Sequence, residues 1–143
     1  STTPMYGGNS NWRGPVWFPM NYLVIRALVR FHDFFGEDFT VEYPTGSGVE
    51  RSLRAIAQDL ADRLTGLFRR GADGRRPVFG GVDRLQHDPA WDHLLFFEYF
   101  HGDDGAGLGA SHQTGWTALL LDLLLDPPLS AEPLDLLAFG LEG

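Results

Sequence analysis

A chain of 143 residues with 43% hydrophobic and 13% aromatic content is sized for one globular domain, able to bury roughly two thirds of its unfolded surface. Its formal net charge of -8, with basic residues scattered along the chain, excludes a nucleic-acid backbone as partner. No apolar run approaches the roughly 18 residues of a membrane span. The absence of cysteine rules out disulfides and thiolate metal sites and fits a reducing, cytoplasmic compartment.

The first segment, STTPMYGGNSNWRG, starts at full aromatic density with no starter element and no signal-like region. That reads as a chain cut from something longer, with any signal upstream of Ser1. Next, GGNSNWRGPVWFPMNYL sets two tryptophans, an arginine and asparagines just ahead of a helix. Aromatic plates beside fixed hydrogen-bonding groups are suited to a polar ring such as a sugar; a packed aromatic loop is the equal alternative.

Four helices are expected, giving an all-α fold. The first runs from about Pro19 to Phe35, with proline in its first turn and Gly36 at its stop. Its apolar residues fall on nearly every side, which predicts burial on most faces. The second opens at an S-x-x-E capping box, Ser47 and Glu50, and ends before Gly71. It carries one apolar face and one charged face, so it is expected to lie half exposed. A buried helix followed by an amphipathic one is the alternation of a two-layer helical assembly. Arg76–Phe79 reads as a short extended stretch. A third helix is expected from Pro89 to about Phe97, with Trp91 in the core, and a last one from about Trp116 to Leu125, stopped by Asp126-Pro127-Pro128. No strand pattern is long enough for a sheet.

Among residues that carry chemistry, the five histidines lack zinc-site spacing, and GDDGAGLG lacks both the ligands of a calcium loop and the lysine of a phosphate loop. Ser111 and His112 adjoin, but no nucleophile elbow frames them. Glu98 stands apart. It sits in LLFFEYFHG among Phe96, Phe97, Tyr99 and Phe100, at the expected end of an apolar helix. A lone carboxylate among aromatics is costly unless it is paired or functional. An ion pair with Arg13 or another arginine is the structural alternative.

The blocks NWRGPVWFPMNYL, VEYPTGSG, RRPVFGG and FFEYFHGDDGAGLGASHQTGWTALL closely resemble, in order, the C-terminal part of glycoside hydrolase family 63. That family includes processing α-glucosidases and relatives acting on glucosides or mannosylglycerate-type substrates. The resemblance implies that residues 1–143 form the C-terminal portion of a catalytic (α/α)6 barrel whose members invert the anomeric carbon with an aspartic acid and a glutamate. Glu98 matches the general base. The general acid lies upstream in the family, and no segment of this chain resembles it, so the upstream half of the catalytic domain is an implied partner. Trp12 and Trp17 would be stacking plates, Arg13 and Asn21 would contact hydroxyls, and His112, Gln113 and Trp116 would complete the wall of a carbohydrate site, with a plain core role as the alternative for Trp17 and Trp91; Gly14 and Pro15 would shape the turn. Several relatives carry tyrosine where this chain has Phe100, so Tyr99 or His101 would have to orient the base. No metal or other cofactor is implied. The competing readings are a non-catalytic carbohydrate-binding or remnant module, and a neighbouring (α/α)6 enzyme such as a glucoamylase, trehalase or debranching-type glucosidase.

Overall fold

The computed structural model describes residues 15–129. Helix α1 (Phe18–Phe35) starts where Trp17 leaves the extended conformation, with Pro19 in the first turn, where its missing N–H has no helical partner to lose. It stops at Gly36, whose φ of +83° is open to glycine and whose N–H donates to His32 O (2.8 Å). Only Phe18, Ile25 and His32 are buried along α1, seven residues apart on a single stripe. Burial on most faces is therefore not what the described residues show: Met20, Leu23, Val24, Phe31, Phe34 and Phe35 are exposed. The reason is geometric, because α2 and α4 are the described helices that pack on α1, and they cover one side of it.

Between the first two long helices runs an antiparallel hairpin, β1 (Thr40–Glu42) and β2 (Glu50–Ser52), paired Thr40↔Ser52, Val41↔Arg51 and Glu42↔Glu50. This corrects the expected helix start. Ser47 lies in the hairpin loop, where its Oγ accepts from Val49 N–H (3.1 Å), and Glu50 is in a strand. The cap of α2 (Leu53–Gly66) is Ser52, whose Oγ accepts from Ala55 N–H (3.3 Å). The expected half-exposed character of α2 holds: Leu53, Ile56, Ala57, Ala61 and Leu64 face inward. Tyr43 donates to Asp59 (2.6 Å) and fastens the hairpin to the outer face of α2; that bond, followed by desolvation, raises the Tyr43 phenol above its usual range.

After α2 the chain turns on itself through residues 67–81. Arg76, 2% exposed, donates to Phe68 O (2.6 Å) at the end of α2, while the Gln86 side chain accepts from Arg76 N–H (2.9 Å) and donates to Arg76 O (2.9 Å) and Gly80 O (3.0 Å). Gln86 belongs to α3 (Asp83–His87), a helix the sequence reading did not contain. Residues Pro77–Phe79 form a 3-10 turn, where an extended stretch was expected.

The third predicted helix is not present. Pro89–Trp91 form a single 3-10 turn, capped by Asp88, which accepts from Ala90 N–H (3.0 Å). Residues 92–98 then run without helix into β3 (Tyr99–Phe100), which pairs antiparallel with β4 (Gly107–Leu108). Phe100 also exchanges both backbone hydrogen bonds with Val16 (2.8 and 2.9 Å), and Phe96 bridges to His112. Extended backbone lets the run LLFFEYF meet three partners at once, and a helix would satisfy its amides internally and give up all of them. A short apolar run is ambiguous between helix and strand on periodicity alone. Trp91, expected in the core, is 40% exposed under the Arg84 guanidinium (4.3 Å to the ring centroid).

The last helix, α4 (Leu119–Leu125), begins three residues later than expected and ends as expected at Asp126. Asp122 on α4 accepts from Tyr22 (2.6 Å) and pairs with Arg26, which also reaches Asp126 (2.9 Å), so α1 and α4 are locked by charge as well as by packing. The Tyr22 hydrogen bond, then that from Arg26, holds the Asp122 carboxyl below its ordinary range. Burial works against the Arg26 charge, but its bonds to Asp122 and Tyr22 outweigh that and raise it. The core centres on Phe18, Phe68 and Phe100, all fully buried with ring centroids 5.8–6.0 Å apart, and extends through Ile25, Ala61 and Leu120. The described residues are thus helix-rich, with four α-helices and two short antiparallel strand pairs rather than purely α, and they do not close a barrel. No helix among them is long and apolar enough to cross a membrane.

Candidate active site

Glu98 stands at the bend that leads into β3, not at a helix end, and is half-buried. Its Oε2 accepts from Ala110 N–H (3.3 Å), just beyond β4, and among the described residues it makes no ion pair and no other hydrogen bond. Oε1 therefore has no protein partner there. The approach is made possible by Gly109: a Cβ at that position would overlap Glu98 Oε2 and stand 2.9 Å from Glu98 Cβ. The same logic runs along β4 and its loop, where a Cβ on Gly107 would overlap the Phe97 ring and one on Gly105 would overlap Leu67. The glycines at 105, 107 and 109 are packing residues, since a side chain at each would enter space already occupied by Leu67, Phe97 or Glu98.

The next residue, Tyr99, stacks on Trp17 (centroids 4.8 Å apart, planes at 27°), and Trp116 meets Trp17 edge-on (5.8 Å, 88°). Trp17, 3% exposed, is packed like a core residue and offers little face to a ligand. Its carbonyl accepts from both Asn21 N–H (3.1 Å) and Asn21 Nδ2 (2.9 Å), which fixes the Asn21 side chain on the first turn of α1. Pro15, Trp17, Met20 and Asn21 line a depression of ≈ 370 Å³. Gln113 N–H donates to Phe96 O (2.7 Å), and Thr117 Oγ1 donates to Phe97 O (2.5 Å), so the stretch leading into α4 is tied to the segment that carries Glu98. Gln113 and Trp116 are half-buried and His112 is exposed.

The structure joins Trp17 and Gln113 to the segment bearing Glu98, through Tyr99 and Phe96, with Trp116 and Asn21 joined to it by way of Trp17 and His112 through its backbone bridge to Phe96. Trp12 and Arg13 lie outside the described residues. His101 is turned to its own loop, with Nδ1 3.2 Å from Asp104 Oδ1 and 3.3 Å from Asp103 N. Thr117, Gly109 and Ala110 entered the site only with the structure, while Tyr99, expected as one of two groups to orient the base, stacks on Trp17. The available signal was the glycine at every second position from 105.

A second cleft, ≈ 450 Å³, is lined by Arg69, Arg70, Arg75 and Arg76. Its arginines are engaged in holding the fold: Arg70 pairs with Asp92 (2.7 Å), Arg75 with Asp83 (3.3 Å), and Arg76 holds Phe68 O. Burial, then the neighbouring Arg70 charge, lowers the Arg76 guanidinium from its usual range. Among the described residues no group of three or more histidine, aspartate or glutamate side chains is placed to hold a metal.

The Mannosylglycerate hydrolase MGH1-like glycoside hydrolase domain matches residues 1–117, which takes in α1, both strand pairs and the Glu98 segment. The chain belongs to the MGH1-like glycoside hydrolase family. Within the curated proteins, this family member is 47% identical over 133 residues to an uncharacterized protein of Saccharomyces cerevisiae, covering 91% of the chain and 12% of that protein. It is 26% identical over 121 residues to the mannosyl-oligosaccharide glucosidase of the same yeast, covering 83% of the chain and 11% of the glucosidase. The MGH1-like chain therefore spans about an eighth or less of the length of these relatives. No solved structure is significantly similar to it. The resemblance to processing glucosidases carried by the tryptophan, glutamate and HQTGW blocks stands with these matches.

Proposed function

We propose that this chain is the base-bearing portion of an inverting α-glycosidase whose (α/α)6 catalytic domain is completed by other parts of the same polypeptide. Glu98 takes a proton from a water that attacks the anomeric carbon on the face opposite the leaving group. The observation that supports this most directly is the state of the Glu98 carboxylate: one oxygen is held by Ala110 N–H, and among the described residues no cation neutralises it. A base needs a charged oxygen free to accept a proton, and a structural carboxylate in an aromatic setting would be expected to carry an arginine.

The Trp17–Tyr99–Trp116 cluster fixes the wall beside Glu98, and Asn21 and Gln113 offer polar contacts to sugar hydroxyls. The general acid is supplied from outside this chain, with its carboxyl roughly 6.5–9.5 Å from that of Glu98, leaving room for the water. The exposed apolar side of α1 is the surface on which the rest of the domain packs. The substrate is an α-glucoside or a mannosylglycerate-type glycoside.

The test uses the whole natural polypeptide that carries this chain. Hydrolysis of α-glucosides and mannosylglycerate is measured with the wild type and Glu98→Gln, and the anomer first released is read by NMR. The expected result is inversion, with kcat lower by about 10²–10⁴-fold in Glu98→Gln and binding largely kept. A Glu98→Gln variant retaining half the activity would make Glu98 structural.

A further inference from the structure

We infer that the β3–β4 hairpin positions the general base: the Ala110 N–H and the bare Cα of Gly109 aim the Glu98 carboxylate, fixing Oε2 and presenting Oε1 to the reacting water. This rests on the reading of Glu98 as the base.

The observations are local and mutually dependent. The pairing Tyr99↔Leu108 places Glu98 and Gly109 opposite one another at the open end of the hairpin. Gly109 has φ +73°, a conformation that turns the following amide of Ala110 toward Glu98 and that side-chain-bearing residues rarely adopt. A Cβ there would overlap Oε2, and it would also stand 3.0 Å from Tyr99 Cε1, the ring that stacks on Trp17. One missing methyl group therefore allows both the carboxylate and the aromatic wall to occupy their places. A glycine that served only to turn the chain would have open space at its Cβ, as Gly48 does at φ +70°. Holding one oxygen of a base narrows the range through which its carboxylate swings, and misplacement of about 1 Å in such a group costs on the order of 10²-fold in rate.

The experiment compares Gly109→Ala with Gly48→Ala in the whole natural polypeptide. Both introduce a side chain at positive φ, but only the first meets Glu98. Gly109→Ala is expected to lower kcat by about 10²-fold with KM little changed, and Gly48→Ala to leave both constants unchanged. In a Glu98→Gln background, Gly109→Ala should cost far less than in the wild type, because the part of its effect that passes through the carboxylate is already lost and only the part through the Tyr99 ring remains. Hydrogen exchange read by mass spectrometry on the peptide containing Ala110 supplies a measurement that needs no glycine variant: Glu98→Ala should speed exchange of the Ala110 amide. Equal kinetics for the two glycine variants, a rate loss in the Glu98→Gln background as large as in the wild type, or Ala110 exchange unmoved by Glu98→Ala would each overturn the positioning role. If Gly109→Ala fails to fold, the exchange result decides alone. Failure of the base reading shows itself separately, as activity retained by Glu98→Gln.

Discussion

Trp17 and Tyr99 stack with ring centroids 4.8 Å apart, joining the residue that opens α1 to the residue that follows Glu98. The contact spans 82 positions in sequence and is bracketed by the backbone exchange between Val16 and Phe100. It makes Trp17 a support for the site, with its indole packed between Tyr99 and Trp116, in place of an exposed plate.

Trp17→Ala should therefore destabilise the protein by about 3–5 kcal/mol, as truncating a buried aromatic does. The loss is read as a shift in the denaturant midpoint. A variant whose midpoint is unchanged while substrate binding weakens would return Trp17 to the role of stacking plate.

Trp91→Ala should do much less. Trp91 is half in solvent and its described ring contact is with Arg84, so the cost is that of an exposed cation–π pair, about 1 kcal/mol or below. The same unfolding measurement decides: a cost matching that of Trp17→Ala would place Trp91 in a core.

Gly107→Ala should unfold the hairpin more readily than Gly81→Ala. The new methyl at 107 collides with the Phe97 ring, whereas at 81 it meets nothing within 4 Å. Overpacking of this kind costs about 1–3 kcal/mol. Thermal unfolding of the two variants side by side is the check, and equal melting temperatures would contradict the packing.

Asp122 carries a pH dependence with a definite sign. Its carboxyl is held below the ordinary value of about 3.9 in the folded state, so the tie between α1 and α4 is fully present above that value. It is lost as pH falls through the depressed folded value. The stability gap between wild type and Asp122→Asn should thus be constant at neutral pH, persist down to the usual carboxylate range and close below it. The partners are partly exposed, so the gap is of the order of an exposed ion pair, about 1 kcal/mol or less. A gap that widens on acidification would reverse the sign and refute the assignment.

The C-terminal half of α1 exposes Phe31, Phe34 and Phe35, and Phe35 joins the other two and Phe39 into one ring cluster; Phe34 alone is 81% exposed. Residues 1–143 produced alone should bind hydrophobic dyes, self-associate and show no glycosidase activity, and Phe31→Ser with Phe34→Ser should reduce both dye binding and association. Light scattering on the two chains tests this. A monomeric, dye-free wild-type fragment would mean that the face needs no cover.

The sequence by itself determined the existence of the long helices, α1 by an apolar stretch between Pro19 and Gly36 and α2 by its 3.6-residue periodicity, signals that lie within each element. It also singled out Glu98, because a carboxylate between aromatics is conspicuous whatever the backbone does. What only the tertiary structure decided is the form of the Glu98 segment and the burial of its neighbours. The run LLFFEYF carries enough apolar residues for a helix; it is extended because Val16, Leu108 and His112, distant in sequence, supply its pairing partners and because glycines at 107 and 109 leave room for Phe97, Glu98 and Tyr99. Ser47 lost the cap of α2 to Ser52 for the same reason, since pairing of Glu50–Ser52 with Thr40–Glu42 consumed the expected first turn. Trp17 took the core place that was one of its two readings and Trp91 left the core expected of it, because a tryptophan's burial is set by what packs against it, and no local pattern records that.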